Sequence, residues 1–208
     1  MNNNTLFEGW CDFCLNPPFT LVNKATGLLV KPQCNRPKVC RRAANYYRWC
    51  IRERLQDIAW TAALTLTMTK AFGQPSQANI TVQSRAWSRF ISRVRQIHGP
   101  FHWAWLREQS PLHLHVLWDA LSIPQADLSS IAEQSGFGPV VHIRATRTPG
   151  ERCKAIDYVT KSLSLLPTDP NGDWPLRTRR YRASVPKQAP QPKQQWGVIY
   201  DPAYSLDK

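Results

Sequence analysis

Residues 112–118 read Leu112-His113-Leu114-His115-Val116-Leu117-Trp118, an alternation that leaves the chain little freedom in how it is built around them. Successive side chains of a strand point to opposite faces, so Leu112, Leu114, Val116 and Trp118 line one face while His113 and His115 share the other, about 6.5 Å apart. The apolar face has to be covered by another layer. The imidazole face asks for polar company, and the preceding stretch supplies it. Residues 101–108 read as a second strand, and the short link Gln109-Ser110-Pro111 suits a hairpin. Antiparallel pairing across that link brings the Glu108 carboxylate beside His113.

The remaining patterns surround this hairpin. Leu64-Thr65-Leu66-Thr67-Met68-Thr69 alternates with period two and predicts a strand over 64–69. Trp87, Phe90, Ile91, Val94 and Ile97 recur at helical intervals over 79–97. A short helix over 127–134, closed by Gly136 and Gly138, precedes a strand over 139–145. Thr148-Pro149-Gly150-Glu151 then combines an N-cap, a proline in the first turn and the glutamate of a capping box, which predicts a helix from there to about Leu166. The order β-α-β-β-α-β is that of a split βαβ, ferredoxin-like sandwich: an α+β fold whose antiparallel sheet carries helices on one face and leaves the other to hold a site. Residues 1–40 form a Cys-rich candidate zinc-binding segment, and 41–166 the main domain, led by an amphipathic basic helix over Arg41 to Trp60. Residues 167–208 make a basic, Pro- and Gln-rich tail with partial disorder and one further strand at Trp196 to Tyr200.

Charge narrows the class of partner. Lys and Arg number 27 against 14 Asp and Glu, a net charge of +13 that favours a polyanion. Of the 27, 18 are arginines, whose planar fork matches phosphate oxygens and base edges. Arg41, Arg42 and Arg48 on the leading helix and Arg177, Arg179 and Arg180 in the tail are the candidate phosphate contacts. No apolar run approaches the roughly 18 residues of a membrane span. The opening residues lack the basic and apolar regions of a secretion signal, so the cytoplasm is the expected location, with no membrane partner. There is no GxxxxGK[ST] phosphate loop, which argues against an ATP-driven motor.

Thiols stay reduced in the cytoplasm, so the six cysteines read as metal ligands or packing residues. Cys11-x2-Cys14 has zinc-ribbon spacing and Cys34-x5-Cys40 does not. The four are candidate ligands of a structural Zn²⁺ or unliganded thiols. Cys50 and Cys153 fall on helical stretches and read as packed residues.

Two imidazoles and a carboxylate make a divalent-metal site with positions left for water and substrate. The plainer alternative is two histidines on the polar surface of an open sheet. On the last helix Ile156, Val159, Leu163 and Leu166 form the buried stripe. At about 100° per residue, Tyr158 and Lys161 project together on the far side. A tyrosine can attack phosphorus, and a lysine one turn on can neutralise charge building on a phosphate, although such a pair is also common on helix surfaces.

In order, Leu64-Thr65-Leu66-Thr67, His113-Leu114-His115 and Tyr158-Val159-Thr160-Lys161 resemble the three motifs of HUH-type rolling-circle replication initiators, the Rep endonucleases of small single-stranded DNA phages and plasmids. The likeness spans roughly residues 40–185 and takes in Trp105-Leu106-Arg107-Glu108 and Arg179-Arg180-Tyr181. It implies a ferredoxin-like nuclease domain that binds single-stranded origin DNA. His113, His115 and Glu108 would hold Mg²⁺ or Mn²⁺, and the arginines above would contact DNA. Tyr158 would be the catalytic nucleophile, with Lys161 beside it, leaving a 5′-phosphotyrosyl link and a free 3′-OH that primes replication. Two imidazoles suit Mn²⁺, Fe²⁺ or Zn²⁺ better than Mg²⁺, so Mg²⁺ rests on the likeness alone. Lys154 and Ser162 stand where a second tyrosine would lie, which implies a single-tyrosine enzyme. Without a motor, a host helicase and DNA polymerase are the implied partners in a host cytoplasm. The same motifs would serve a single-tyrosine transposase, whereas a non-catalytic, zinc-containing DNA-binding regulator leaves them without a role.

Overall fold

The computed structural model describes residues 10–166, except 16, 18, 25, 27, 28, 33, 35–39, 110, 121 and 122, together with 174, 175, 178–184 and 196–200. The chain opens with a single helical turn, α1 (Asp12–Leu15), and two short strands, β1 (Phe19–Asn23) and β2 (Leu29–Val30). Then come α2 (Arg41–Gln56), β3 (Ala62–Met68), α3 (Gln77–His98), β4 (Trp103–Glu108), β5 (His113–Trp118), α4 (Gln125–Ser135), β6 (Phe137–Ala145) and α5 (Pro149–Thr160). The tail adds β7 (Tyr181–Ala183) and β8 (Trp196–Tyr200).

Local signals carried the placement of the central elements. The Thr148 hydroxyl accepts from the Glu151 amide at 3.2 Å, and the Glu151 carboxylate accepts from the amides of Thr148 and Arg147 at 3.0 and 2.8 Å. The capping box that starts α5 is therefore complete. Its end differs from the expected Leu166. The α-helix stops at Thr160 and tightens into a 3₁₀ turn over Lys161–Ser164, a common way for a last turn to close. At the end of α4, Gly136 adopts φ 102°, and its amide bonds back to the Ala132 and Glu133 carbonyls. Any side chain there would also crowd Arg89 Nη2, 3.0 Å from the Cβ position.

The main sheet is antiparallel, with five strands in the order β6-β3-β5-β4-β7. β5 thus lies between β3 and β4, so the β3-α3-β4 unit is split by the strand that follows it. On one face Leu64, Leu66, Trp103, Trp105, Leu114, Val116 and Trp118 pack under Trp87, Phe90 and Val94 of α3 and Leu128 and Ile131 of α4. The other face is not left free, which corrects the expectation of helices on one side only. Ala104, Leu106 and Leu117 lie there under Ile51 and Leu55 of α2 and Ile156 and Val159 of α5. These apolar residues occupy one end of the second face. Burying each leucine contributes about 1.5–3 kcal/mol, and that end requires a cover. The other end of the same face carries Thr65, Thr67, Glu108, His113 and His115.

Both termini contribute more structure than their composition announces. β1 pairs with β2 on one side and with β8 on the other, forming a three-stranded sheet. β8 falls on the expected residues, while β1 and β2 lie in a segment read as irregular. β7 extends the main sheet by pairing Tyr181 with Leu106 and Ala183 with Ala104. Arg107, 2% exposed, ties this edge in: its guanidinium donates to Gln83 Oε1 at 2.6 Å, Ser84 Oγ at 2.9 Å and the Arg179 carbonyl at 3.0 Å. Burial lowers its pKa to about 10. Among the described residues, no helix is long and apolar enough to cross a membrane.

A candidate metal and tyrosine site

Strand register assembles the polar end of the second face. Glu108 pairs with His113 across the β4–β5 hairpin, and Thr65 and Thr67 of β3 pair with His115 and His113 from the other side. Because side chains alternate, all five fall on one face. The ligand atoms of Glu108, His113 and His115 lie within 4.8 Å of one another, so the three could hold a metal ion. The His113 and His115 Nε2 atoms are 3.1 Å apart, and Glu108 Oε2 lies 3.3 Å from the His115 nitrogen and 3.6 Å from that of His113. Three ligands about 2.1 Å from one ion at near-tetrahedral or octahedral angles would stand about 3.0–3.4 Å apart. The spacing found is close to that.

The far sides of both rings are held. His113 Nδ1 donates to the Pro111 carbonyl at 2.5 Å, which leaves its Nε2 as the lone-pair nitrogen in the neutral ring. His115 Nδ1 lies 3.1 Å from Thr65 Oγ1. A hydrogen-bond partner behind each ring is the arrangement that orients imidazole ligands toward metals. The carboxylate has a spare ligand atom as well, since Glu108 Oε1 is buried with no hydrogen-bond partner. Burial pushes the Glu108 carboxyl up, but the neighbouring His113 and His115 rings and the charge of Lys161 outweigh it. The group is held well below the usual carboxylate range. An anionic carboxylate beside two imidazoles, one oxygen unpartnered, is a donor set that fits a divalent cation.

α5 reaches this cluster because α2 and the apolar end of the sheet hold it there. The Arg52 guanidinium pairs with Asp157 at 2.7 Å, and Arg48 reaches the Asp157 carbonyl at 3.3 Å and Thr160 Oγ1 at 3.5 Å. Tyr158, next to Asp157, is 53% exposed, and its ring stands edge-on to that of His115 with centroids 5.0 Å apart. Lys161 Nζ sits 4.2 Å from the centre of the Tyr158 ring. The five residues singled out in the sequence as metal ligands and reactive pair therefore converge at one place. A cleft of about 370 Å³ runs from His115 and Tyr158 toward the β6 edge, lined also by Thr65, His142, Arg144 and Lys154. A second, of about 340 Å³, lies on the Glu108 and Lys161 side.

Arg144 carries no role in the sequence reading, Thr65 stands there only within the Leu64–Thr67 motif, and Lys154 only at the position where a second tyrosine would lie. The alternation that put Thr65 in phase with the histidines was the available signal, whereas Arg144 and Lys154 reach the cleft only through packing. The candidate phosphate contacts scatter. Arg41 donates to the Ser164 carbonyl at 3.0 Å, and Arg42 to the carbonyls of Lys31, Pro32 and Cys14 at 3.0–3.2 Å. Arg180 donates to the carbonyls of Ser162, Leu163 and Leu165, closing the turn after α5. Arg179 is exposed, and Arg177 lies outside the described residues. Cys11, Cys14, Cys34 and Cys40 gather at a separate point and could also hold a metal ion. Cys153 is exposed, which corrects its reading as a packed residue: it stands at the rim of the stripe, about 60° round the helix from Ile156 and about 120° from Val159.

No family model matches the chain, and neither a curated protein nor a solved structure matches it.

Proposed function

We propose that this chain is a metal-dependent enzyme that nicks and rejoins single-stranded DNA, of the HUH type that initiates rolling-circle replication, built on a ferredoxin-like sheet. The observation that carries the proposal is the stacking of Tyr158 edge-on against His115, beside a cluster of two imidazoles and one carboxylate. A reactive hydroxyl next to a divalent-metal ligand set, in a protein of net charge +13, fits phosphoryl transfer on a polyanion.

Glu108, His113 and His115 would hold Mg²⁺ or Mn²⁺, and the bound ion would polarise the scissile phosphate. Tyr158 Oη attacks the phosphorus and gives its proton to solvent. The bond from phosphorus to the 3′ oxygen breaks, that oxygen takes a proton from water, and the 5′ phosphate stays on the tyrosine. Attack of a 3′-OH on the phosphotyrosine reverses the step and rejoins the strand. Lys161 brings an ammonium beside the reacting ring, and Arg144 and Lys154 supply cationic walls along which the DNA backbone can lie. With one tyrosine on the motif helix and no phosphate loop in the sequence, a helicase and a polymerase of a host cell, in its cytoplasm, complete the proposed cycle.

The test is covalent capture. The full chain is incubated with Mn²⁺ and a randomised pool of labelled single strands, and the mixture is resolved on a denaturing gel. The expected result is a protein–DNA adduct that disappears in Tyr158→Phe while non-covalent binding of the pool persists. An adduct that survives the substitution, or capture that proceeds equally without a divalent ion, overturns the proposal.

A further inference from the structure

The nicking site leaves four cysteines unused. Cys11 immediately precedes α1 and Cys14 lies on it, Cys34 follows β2, and Cys40 stands immediately before α2. Three stretches of chain thus deliver four thiols to one point, within 4.8 Å of one another. The Sγ atoms of Cys11 and Cys34 are 3.3 Å apart, and none of the six cysteines is in a disulfide. Four thiolates about 2.3 Å from a tetrahedral ion would stand about 3.8 Å apart, so small adjustments admit one. The Cys34 amide donates to Cys14 Sγ at 3.2 Å, the kind of support that thiolate ligands receive. Trp10, Phe13 and Ala43 pack around the sulfurs, and this small cluster is separate from the two cores over the main sheet. Beside the small β1-β2-β8 sheet, a cluster with so few apolar residues gains support from a bound ion.

The point is also mechanically connected. Arg42, in the first turn of α2, grips the carbonyls of Cys14, Lys31 and Pro32 and lies over the Trp10 ring, 5.0 Å from its centre. Arg41 beside it points the other way, to the Ser164 carbonyl just past α5, and Arg48 and Arg52 further along α2 hold Asp157. One helix therefore starts at the cysteines and ends by clamping the residue next to Tyr158.

We infer that Cys11, Cys14, Cys34 and Cys40 form a closed tetrathiolate site for one Zn²⁺, and that the bound ion anchors α2 as the strut that seats α5 against the sheet. On binding, the thiols release their protons and all four positions of the ion are filled by sulfur, so the site takes a structural ion and offers no place to a substrate. The inference stands apart from the nicking reading, since none of its readouts uses DNA.

The experiment takes full-length protein purified without chelator. The expected result is about one equivalent of tightly held zinc. Replacement by Co²⁺ should give the intense thiolate charge-transfer and tetrahedral d–d absorption of a sulfur-bound ion. Ejecting the zinc from wild-type protein with a mercurial, followed by hydrogen exchange, should cost residues 40–48 and 157–164 their protection while β3, β4 and β5 keep theirs. Arg41→Ala with Arg48→Ala should keep the zinc and lose protection only at 157–164. Cys11→Ser with Cys14→Ser should lose the metal, and the ejection measurement stands if that variant fails to fold. Protein that contains no zinc and gives no thiolate–cobalt spectrum overturns the site. Zinc that leaves without changing exchange at 157–164 overturns the strut.

Discussion

The two clusters that could hold metal are built on opposite principles. Glu108, His113 and His115 project from paired strands whose register is fixed by the core beneath them, so the ligand atoms converge because the sheet does. Cys11, Cys14, Cys34 and Cys40 come from a turn, a loop and the start of a helix, and among the described residues those pieces are joined at the sulfurs, by Arg42 and by a small apolar cluster beside the β1-β2 pair. A strand-borne site can be emptied without loss of shape and keeps positions open, as a reaction centre must. A loop-borne site with four thiolates takes its shape from its ion. The difference predicts which site tolerates loss of its ligands, and where each should fail.

The largest effect is expected from Cys11→Ser with Cys14→Ser. Structural zinc sites contribute on the order of 10 kcal/mol to the segments they fold. Residues 10–40 should become open to limited proteolysis at low protease, while chelation of the strand cluster should leave the cleavage pattern unchanged. Equal protease resistance before and after the double substitution would break the contrast.

Next in size is His115→Ala. The ring is 4% exposed, its Nε2 faces Glu108 and His113, and it makes a T-shaped contact with Tyr158. If the three bind metal as proposed, removing one of them should lower affinity for Mn²⁺ by more than about 100-fold, beyond the 10–100-fold typical of losing an outer hydrogen-bond partner. Thr65→Val tests that outer contribution. It keeps the shape of the side chain and removes only the hydroxyl behind His115, so affinity should fall about 10–100-fold with the fold intact. Manganese titration by calorimetry or by electron paramagnetic resonance ranks the pair, and equal losses would move Thr65 from a supporting to a ligand role.

What could be read in the sequence follows the range of the interactions concerned. Thr148 and Glu151 bond within one turn, and Glu108 and His113 across one hairpin, so both were legible from spacing. The contact of Tyr158 with His115 was not, because it depends on α2 and α5 covering Leu106 and Leu117, a layer that the β-α-β-β-α-β order does not contain. Arg107 read as part of a motif and proves to be a buried tie between α3 and the segment before β7. Arg41, Arg42 and Arg180 read as phosphate contacts from charge alone. Their bonds to backbone carbonyls far along the chain have no local signature. β1, β2 and β7 are short; β1 pairs with β8 and β7 with β4, both far along the chain, and β2 pairs with β1.

The smallest effect concerns the helix that bears the tyrosine. Thr148→Ala removes the side-chain acceptor for the Glu151 amide and breaks one half of the capping box. Losses of this kind cost about 1 kcal/mol, which in a chain of this size lowers the melting temperature by about 2–4 °C. The damage should stay at the first turn. Tyr158 lies at the other end of α5, where Ile156 and Val159 are buried and Asp157 is held by Arg48 and Arg52. Thermal denaturation should therefore register the substitution, while covalent capture of DNA at 25 °C stays within about twofold of wild type, since local opening is confined to the least protected turn. A large loss of capture with a small shift in melting would mean that the cap, and not the α2 clamp, sets where Tyr158 stands, and would weaken the case for α2 as the strut.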